Sequence, residues 1–456
     1  MEKTKIGTVF AGKCSRLSYE GNGVLSYEGE AVYVEGMFPG DEGQIKIEYR
    51  RNGQWFGKIV SLSALSPNRI EPRCKVCRAC GGCQFQQLSY QAQLDWKRDL
   101  IVSQFKKVAH MDVEVKPTVG MDEPYFYRNK IQMPFARDRK GHAYCGFYKT
   151  GTHVIVPVET CYIEDKRSQK ILAAVRRLLD SFHLQPYDED SRQGILRHVL
   201  IRTSHYKDQI MVVLVTNVDV FPSRNNFVKA LIKECPEITT VVQNINSRAT
   251  NVILGEKEHV LYGKGFIEDI LCGITFRISP KSFYQTNPVM TEKLYEAAMV
   301  AGKLQKEDIA FDAYSGIGTI GFVASKHVAK VYSVEIVKEA VIDARANAKR
   351  NGIENVFSYC DDASSFMVRM AENNEKVDVL FMDPPRKGSD ERFLKAVLKL
   401  KPSRIVYVSC NPSTLARDVA FLQKSYEVTS VQGFDMFPQT THVEVVVSMS
   451  RVGSKL

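Results

Sequence analysis

Cys410 stands just past an apolar run, residues 405–408, and just before a stretch, 412–424, patterned like a helix. A thiol so placed sits at the carboxyl edge of a sheet strand, where open α/β folds hold their ligands. Further on, Gln439-Thr440-Thr441-His442-Val443-Glu444 carries a carboxylate into another apolar run. A thiol and a base are what methylation at carbon 5 of a pyrimidine requires. That carbon is a poor nucleophile until a thiolate adds at C6, which makes C5 an enolate carbon able to attack a sulfonium methyl. A base then removes the C5 proton and the thiol is expelled. Only a few per cent of an ordinary cysteine is thiolate near neutral pH, so a local depression of the Cys410 pKa is expected. Taken singly, each residue has a plainer reading: Cys410 as a small core side chain, Glu444 as an outward-facing strand position.

Upstream, Asp312-Ala313-Tyr314-Ser315-Gly316-Ile317-Gly318-Thr319-Ile320-Gly321 satisfies Gly-x-Gly-x-x-Gly directly after the apolar run 309–311. Glycine lets backbone approach a ligand where a Cβ would collide. Glu335 ends the next apolar run, seventeen residues after Gly318. A carboxylate there accepts hydrogen bonds from both ribose hydroxyls of a nucleoside cofactor. Dehydrogenase and methyltransferase are rivals on this loop alone, although dinucleotide folds normally open a chain and this module fills the last third. Asp383-Pro384-Pro385-Arg386-Lys387-Gly388 follows the run 377–382, and its prolines hold the chain extended with the carboxylate inward. Amino-directed methyltransferases follow a similar acidic Pro-Pro loop with an aromatic that stacks on the base. Arg386 occupies that place, which argues against attack on an exocyclic amine; as a turn alone the motif would be structural.

The elements that must position these groups are legible from pattern. From about residue 281, apolar runs at 309–311, 331–334, 377–382, 405–408 and 443–447 alternate with helical stretches, one of which, 337–350, stops at Asn351-Gly352. That alternation predicts a doubly wound, mainly parallel sheet over 281–456. Residues 1–65 read as short strands with glycine corners, predicting a small closed β-barrel of the OB type. Lys46, Tyr49, Arg50, Arg51, Trp55 and Lys58 interleave there, either as a nucleic-acid surface or as an ordinary charged exterior. Residues 66–280 form a central region of mixed strands and helices, opened by a cysteine-punctuated connection and an amphipathic helix over 91–108.

At 456 residues the chain exceeds one compact core, and its formal net charge of +10 favours a polyanionic partner such as RNA over an acidic small molecule. No run approaches the roughly 20 apolar residues needed to span a bilayer, and residues 1–7 lack an apolar leader. A cytoplasmic protein with no membrane partner is expected, its 11 cysteines serving as thiols, metal ligands or a nucleophile rather than disulfides. Cys74, Cys77, Cys80 and Cys83 recur every three residues beside Gly81-Gly82. A zinc ribbon separates its two Cys-x-x-Cys knuckles by many residues, so one tetrahedral zinc fits poorly, while close-set thiolates plus a remote cysteine suit an iron–sulfur centre.

Together, Gln285-Thr286-Asn287, Asp312-Ala-Tyr314-Ser-Gly316-Ile-Gly318, Asp383-Pro-Pro-Arg-Lys-Gly388, Ser409-Cys410-Asn411-Pro412-Ser-Thr414-Leu-Ala-Arg417-Asp418 and Gln439-Thr-Thr-His442-Val-Glu444 resemble the RNA uracil-5-methyltransferase family. The likeness is to the bacterial enzymes acting on 23S rRNA, and the N-terminal region is similar to the TRAM domain they carry. The resemblance implies a Rossmann-like class I methyltransferase domain of seven strands, following a TRAM-like barrel and a central α+β domain. It implies S-adenosylmethionine contacts at Gln285, Tyr314, Glu335 and Asp383, Cys410 as nucleophile and Glu444 as base. Many relatives place asparagine where this chain has Thr319, so no contact is assigned there. The resemblance further implies a [4Fe–4S] cluster on Cys74, Cys80, Cys83 and Cys161, with Cys77 surplus, and a helix near 91–108 feeding into the catalytic domain. The expected enzyme is a monomer that makes 5-methyluridine in free or partly assembled 23S rRNA. The same chemistry on tRNA is the nearest alternative. A catalytically idle RNA-binding or iron–sulfur structural protein is disfavoured because Cys410 and Glu444 are both in place.

Overall fold

The computed structural model describes residues 5–149, 151–250 and 252–453; the first four residues, on which the expectation about a leader partly falls, lie outside it. The C-terminal third builds an eight-stranded sheet in the order Val356–Cys360, Lys330–Glu335, Ile309–Ala313, Val379–Met382, Arg404–Ser409, Glu444–Arg451, Tyr426–Phe434 and Val115–Val119. The first five strands are mutually parallel, and Glu444–Arg451 runs antiparallel to both its neighbours. The inner strands bury their apolar runs under helices on both faces, as parallel sheets demand, while the edge strand Val356–Cys360 leaves Phe357 and Tyr359 exposed. One helix, Lys338–Arg350, starts one residue after its expected position and ends at Asn351 before Gly352, which takes φ +63°.

The eighth strand departs from the seven expected. Val115–Val119 pairs in parallel with Tyr426–Phe434, so a segment far upstream closes the sheet's edge. It is delivered by the helix Tyr90–Gln104, whose Ile101 and Leu100 share the catalytic core with Val431, Val445 and Leu422.

A seven-stranded sheet spans the middle of the chain, and helices Lys166–Ser181 and Arg224–Glu234 fill one face through Ile171, Val175, Leu178 and Leu231. Its other face contributes Leu200, Met211, Val213 and Val242 to a core shared with Tyr284, Met290 and Phe381 of the catalytic region, so the two regions bury one continuous interior. The N-terminal region is a curled six-stranded sheet around Phe10, Val32, Val34, Ile45 and Ile47. Among the described residues, no helix is long and apolar enough to cross a membrane.

Candidate active site

Cys410 follows strand Arg404–Ser409, and Ser409 pairs with Val445 on the antiparallel neighbour. Extending that register by one residue sets Glu444 opposite Cys410. Asp383 leaves the other neighbour, Val379–Met382, at the same edge. Three strand ends thus bring a thiol and two carboxylates to one place, with the exposed Arg386 over them from the Pro-Pro loop. That loop is tied to the segment after Cys410. Asn411 Nδ2 and Thr414 Oγ1 both donate to the Arg386 carbonyl, at 2.9 and 3.2 Å. Asp418 accepts from Ser389 N at 2.8 Å and from Tyr407 OH at 2.7 Å. Asn411 also caps helix Pro412–Leu422 through its side-chain oxygen, so the residue beside the thiol is held on both sides.

The electrostatics correct one expectation. Cys410 is not depressed: burial, then the nearby Glu444 and Asp383, push its thiol up to about 11, and Arg386 only partly opposes them. Glu444 rises to about 8 through burial and the Asp383 charge, against Arg386, and burial alone lifts Asp383 to about 7. Neighbouring, partly buried acidic groups resist ionising together, which is why all three shifts run upward.

The glycine loop forms beside this cluster. Tyr314, Gly316 and Gly318 all take positive φ, 64°, 56° and 85°, turning the chain sharply from strand to helix. Asp312, buried and pushed up to about 8 mainly by desolvation, accepts from Gly321 N at 2.8 Å. A Cβ on Gly321 would stand 2.7 Å from that carboxylate, so only glycine fits. Glu335 accepts from Gly316 N at 2.9 Å and Val337 N at 2.8 Å, placing its carboxylate against the loop. The charges of Asp383 and Glu335 both reach Asp312, so these three carboxyl groups share one neighbourhood. Tyr314 turns instead toward the Pro-Pro loop, donating to Ser389 Oγ at 3.3 Å. Gln285 is half-buried, its carbonyl accepting from Asn129 at 3.0 Å. Thr319 Oγ1 and Tyr295 OH share a hydrogen bond of 2.8 Å.

Residues far upstream brace the segment carrying Glu444, and spacing offered no sign of them. Gln93 and Gln439 exchange hydrogen bonds of 3.1 and 3.0 Å, with Gln439 at φ +72°. Lys97 and Asp435 form a fully buried ion pair at 2.5 Å. Phe85 N donates to the Gln439 carbonyl and Tyr127 OH to that of Pro438, both at 3.0 Å. Phe85 lies two residues beyond Cys83, so the cysteine loop and the catalytic segment share a support. Phe283, 68% exposed two residues before Gln285, is another aromatic that pattern did not single out.

Cys74, Cys77, Cys80, Cys83 and Cys161 line one cavity of about 390 Å³, so topology gathers the four clustered cysteines with the remote one. Among the described residues, no three His, Cys, Asp or Glu side chains stand closely enough to hold a metal ion. The donor chemistry suits a cluster of thiolate ligands; the spacing shows the thiols around a shared space rather than drawn together.

A doubly wound sheet with a glycine loop after strand Ile309–Ala313, a glutamate held against that loop at the end of the next, and an acidic Pro-Pro loop defines a methyltransferase of the S-adenosylmethionine-dependent kind. Known proteins agree. The tRNA (uracil-5-)-methyltransferase family matches residues 89–452. An uncharacterized RNA methyltransferase of Oceanobacillus iheyensis is 43% identical over 437 residues, 95% of each chain. One of Staphylococcus epidermidis is 39% identical over 99% of each. The crystal structure of Pyrococcus abyssi tRNA (uracil-54, C5)-methyltransferase with S-adenosyl-L-homocysteine superimposes with a TM-score of 0.78 at 27% identity, covering 96% of this chain and 100% of that one. The chain belongs to the tRNA (uracil-5-)-methyltransferase family and is an S-adenosylmethionine-dependent RNA methyltransferase.

Proposed function

We propose that the protein transfers methyl from S-adenosylmethionine to C5 of a uridine in 23S rRNA through a covalent adduct on Cys410. The observation that carries this reading is the register that sets Glu444 opposite Cys410, with Asp383 beside them. Cys410 adds as thiolate to C6 of the uracil, and the C5–C6 π electrons shift toward C5 and O4. C5 takes the methyl group, leaving neutral S-adenosylhomocysteine. Glu444 then removes the C5 proton, the electron pair restores the C5–C6 double bond, and the thiolate departs. Protons must leave Cys410 and Glu444 before a turnover, and Arg386 is the cation that favours their charged forms. Asp312, Glu335, Asp383, Tyr314 and Gln285 supply the S-adenosylmethionine side of the site. The N-terminal sheet is assigned as a TRAM-like RNA-binding domain, and Cys74, Cys80, Cys83 and Cys161 as ligands of a [4Fe–4S] cluster, with Cys77 spare. The five-thiol cavity supports that assignment.

A second reading, the same reaction on tRNA, is favoured by a specific observation. The solved Pyrococcus abyssi tRNA enzyme aligns along 96% of this chain, so the architecture does not separate the two RNAs. Incubating the protein with methyl-labelled S-adenosylmethionine and unmodified transcripts of 23S rRNA and of tRNA, then mapping the labelled nucleoside, decides between them. Label as 5-methyluridine in 23S rRNA is expected; label only in tRNA moves the substrate, and label on another atom overturns the chemistry.

A further inference from the structure

The N-terminal sheet reaches into the catalytic site. Its turn at 18–22 is closed by bonds from Ser18 N to the Asn22 carbonyl at 2.7 Å, Gly21 N to the Ser18 carbonyl at 3.0 Å and Asn22 N to Ser18 Oγ at 3.1 Å. The turn is seated directly on the catalytic segment: a Cβ on Gly21 would lie 2.5 Å from Thr441 Cγ2 and 3.0 Å from the Phe85 ring. Gly21 also takes φ +81°, so the approach depends on glycine. From this turn, Tyr19 OH donates to Asn411 Oδ1 at 3.0 Å, next to Cys410. Its other neighbours include Cys410 and Arg386. The residue nonetheless keeps 40% of its surface exposed. An aromatic ring tied at its hydroxyl to Asn411, part-exposed and beside Cys410, is a platform for an unpaired base. RNA bases are recognised in single-stranded regions by such stacking.

We propose that Tyr19 is a substrate-binding residue of the catalytic pocket, its part-exposed ring stacking on a base of the RNA strand next to the target uracil. This rests on the reading of the site as an RNA uracil-5-methyltransferase. The C5 reaction needs the target base out of its stack, and a platform for its neighbour holds the opened strand in place of the lost stacking. The N-terminal sheet then contributes to the pocket itself as well as to any remote grip on phosphates.

The test compares full-length wild type, Tyr19→Ala, Tyr19→Phe and Tyr19→Trp on whichever transcript the wild type methylates, measuring kcat, KM for RNA and Kd for S-adenosylmethionine. Tyr19→Ala should raise KM for RNA roughly 10- to 100-fold, the range for losing one base–aromatic stack. Its kcat and S-adenosylmethionine affinity should stay near wild type. Tyr19→Phe and Tyr19→Trp, which keep a ring, should restore KM to within about threefold of wild type, a rescue that a purely structural role for the Asn411 bond would not allow. An unchanged KM in Tyr19→Ala, or equal damage in Tyr19→Phe, overturns the proposal. A wild type that forms no 5-methyluridine in any RNA would instead overturn the functional reading beneath it.

Discussion

The residues proposed as nucleophile and base, Cys410 and Glu444, sit in a site whose electrostatics oppose their charged forms. Cys410 near 11 and Glu444 near 8 favour the protonated form at neutral pH, and Asp383 near 7 is about half protonated there, each because burial disfavours charge. Raising pH should therefore activate the proposed nucleophile and base together. The logarithm of kcat/KM should climb steeply up to about pH 8, where Glu444 deprotonates, and more gently above it as the thiolate fraction keeps growing. Arg386→Met removes the cation that lowers both groups. Each should then titrate higher, so activity near pH 7.5 should fall about tenfold for every unit moved, with the gap to wild type closing at alkaline pH. A pH-independent loss in that variant would mean that Arg386 serves RNA binding alone. Stability runs the other way for Glu444. Its folded pKa exceeds the unfolded value of about 4.5, so the protonated group's favourable contribution is complete below that value and is lost as pH rises through about 8. Glu444→Gln should accordingly gain in melting temperature relative to wild type between pH 5 and pH 8. Residue types and spacing were enough to single out Cys410, Glu444, Asp383 and Glu335. The sign of the Cys410 shift was not, because it depends on desolvation and on two carboxylates from strands whose adjacency only the fold establishes.

At the scale of elements, apolar runs and turn residues marked four of the five parallel strands, the antiparallel Glu444–Arg451 and the helix ending at Asn351, since these follow from local periodicity; the edge strand Val356–Cys360, partly exposed, carried no such run. The brace on the catalytic segment had no local signature. Gln93 meets Gln439 and Lys97 meets Asp435 across more than 330 residues, and nothing in either stretch alone points to the other. The eighth strand, Val115–Val119, escaped notice for the same reason. Lys97→Met would leave Asp435 buried without its cation, at a cost of about 3–5 kcal/mol by denaturant unfolding. Lys97→Met combined with Asp435→Asn should recover most of that loss. If the double variant were as unstable as the single one, packing around the lysine stem would matter more than the charge.

At the scale of the molecule, three regions converge on one reaction edge. The curled N-terminal sheet touches Asn411 through Tyr19, the cysteine loop reaches Gln439 through Phe85, and the central sheet shares a core with the catalytic one. Anaerobically purified protein should be brown and contain about four irons per chain. Cys161→Ser should lose the iron and Cys77→Ser largely keep it; equal loss from both would reassign the ligands. Because the loop and the catalytic segment share a support, losing the cluster should lower stability and RNA affinity before it changes the chemistry. The basic residues of the N-terminal sheet should appear in the salt dependence. Arg51→Ala with Lys58→Ala should flatten the slope of log affinity against log salt by about 0.7 per single-strand phosphate contact removed, leaving S-adenosylmethionine binding unchanged. An unaltered slope would remove those two residues from the RNA surface. Composition indicated a polyanionic partner, but a net charge cannot say which RNA, and the sheet's curl and its seat against Thr441 are long-range facts.

The covalent step is tested most directly by intact-mass analysis of Glu444→Gln after incubation with S-adenosylmethionine and the substrate RNA under denaturing quench. With addition and methyl transfer intact but elimination blocked, a protein–RNA adduct carrying one methyl group should accumulate, and nuclease and protease digestion should place it on the peptide containing Cys410. Glu444→Gln combined with Cys410→Ala should form none. Normal turnover by Glu444→Gln, or an adduct that survives the loss of Cys410, would contradict the assignment of nucleophile and base.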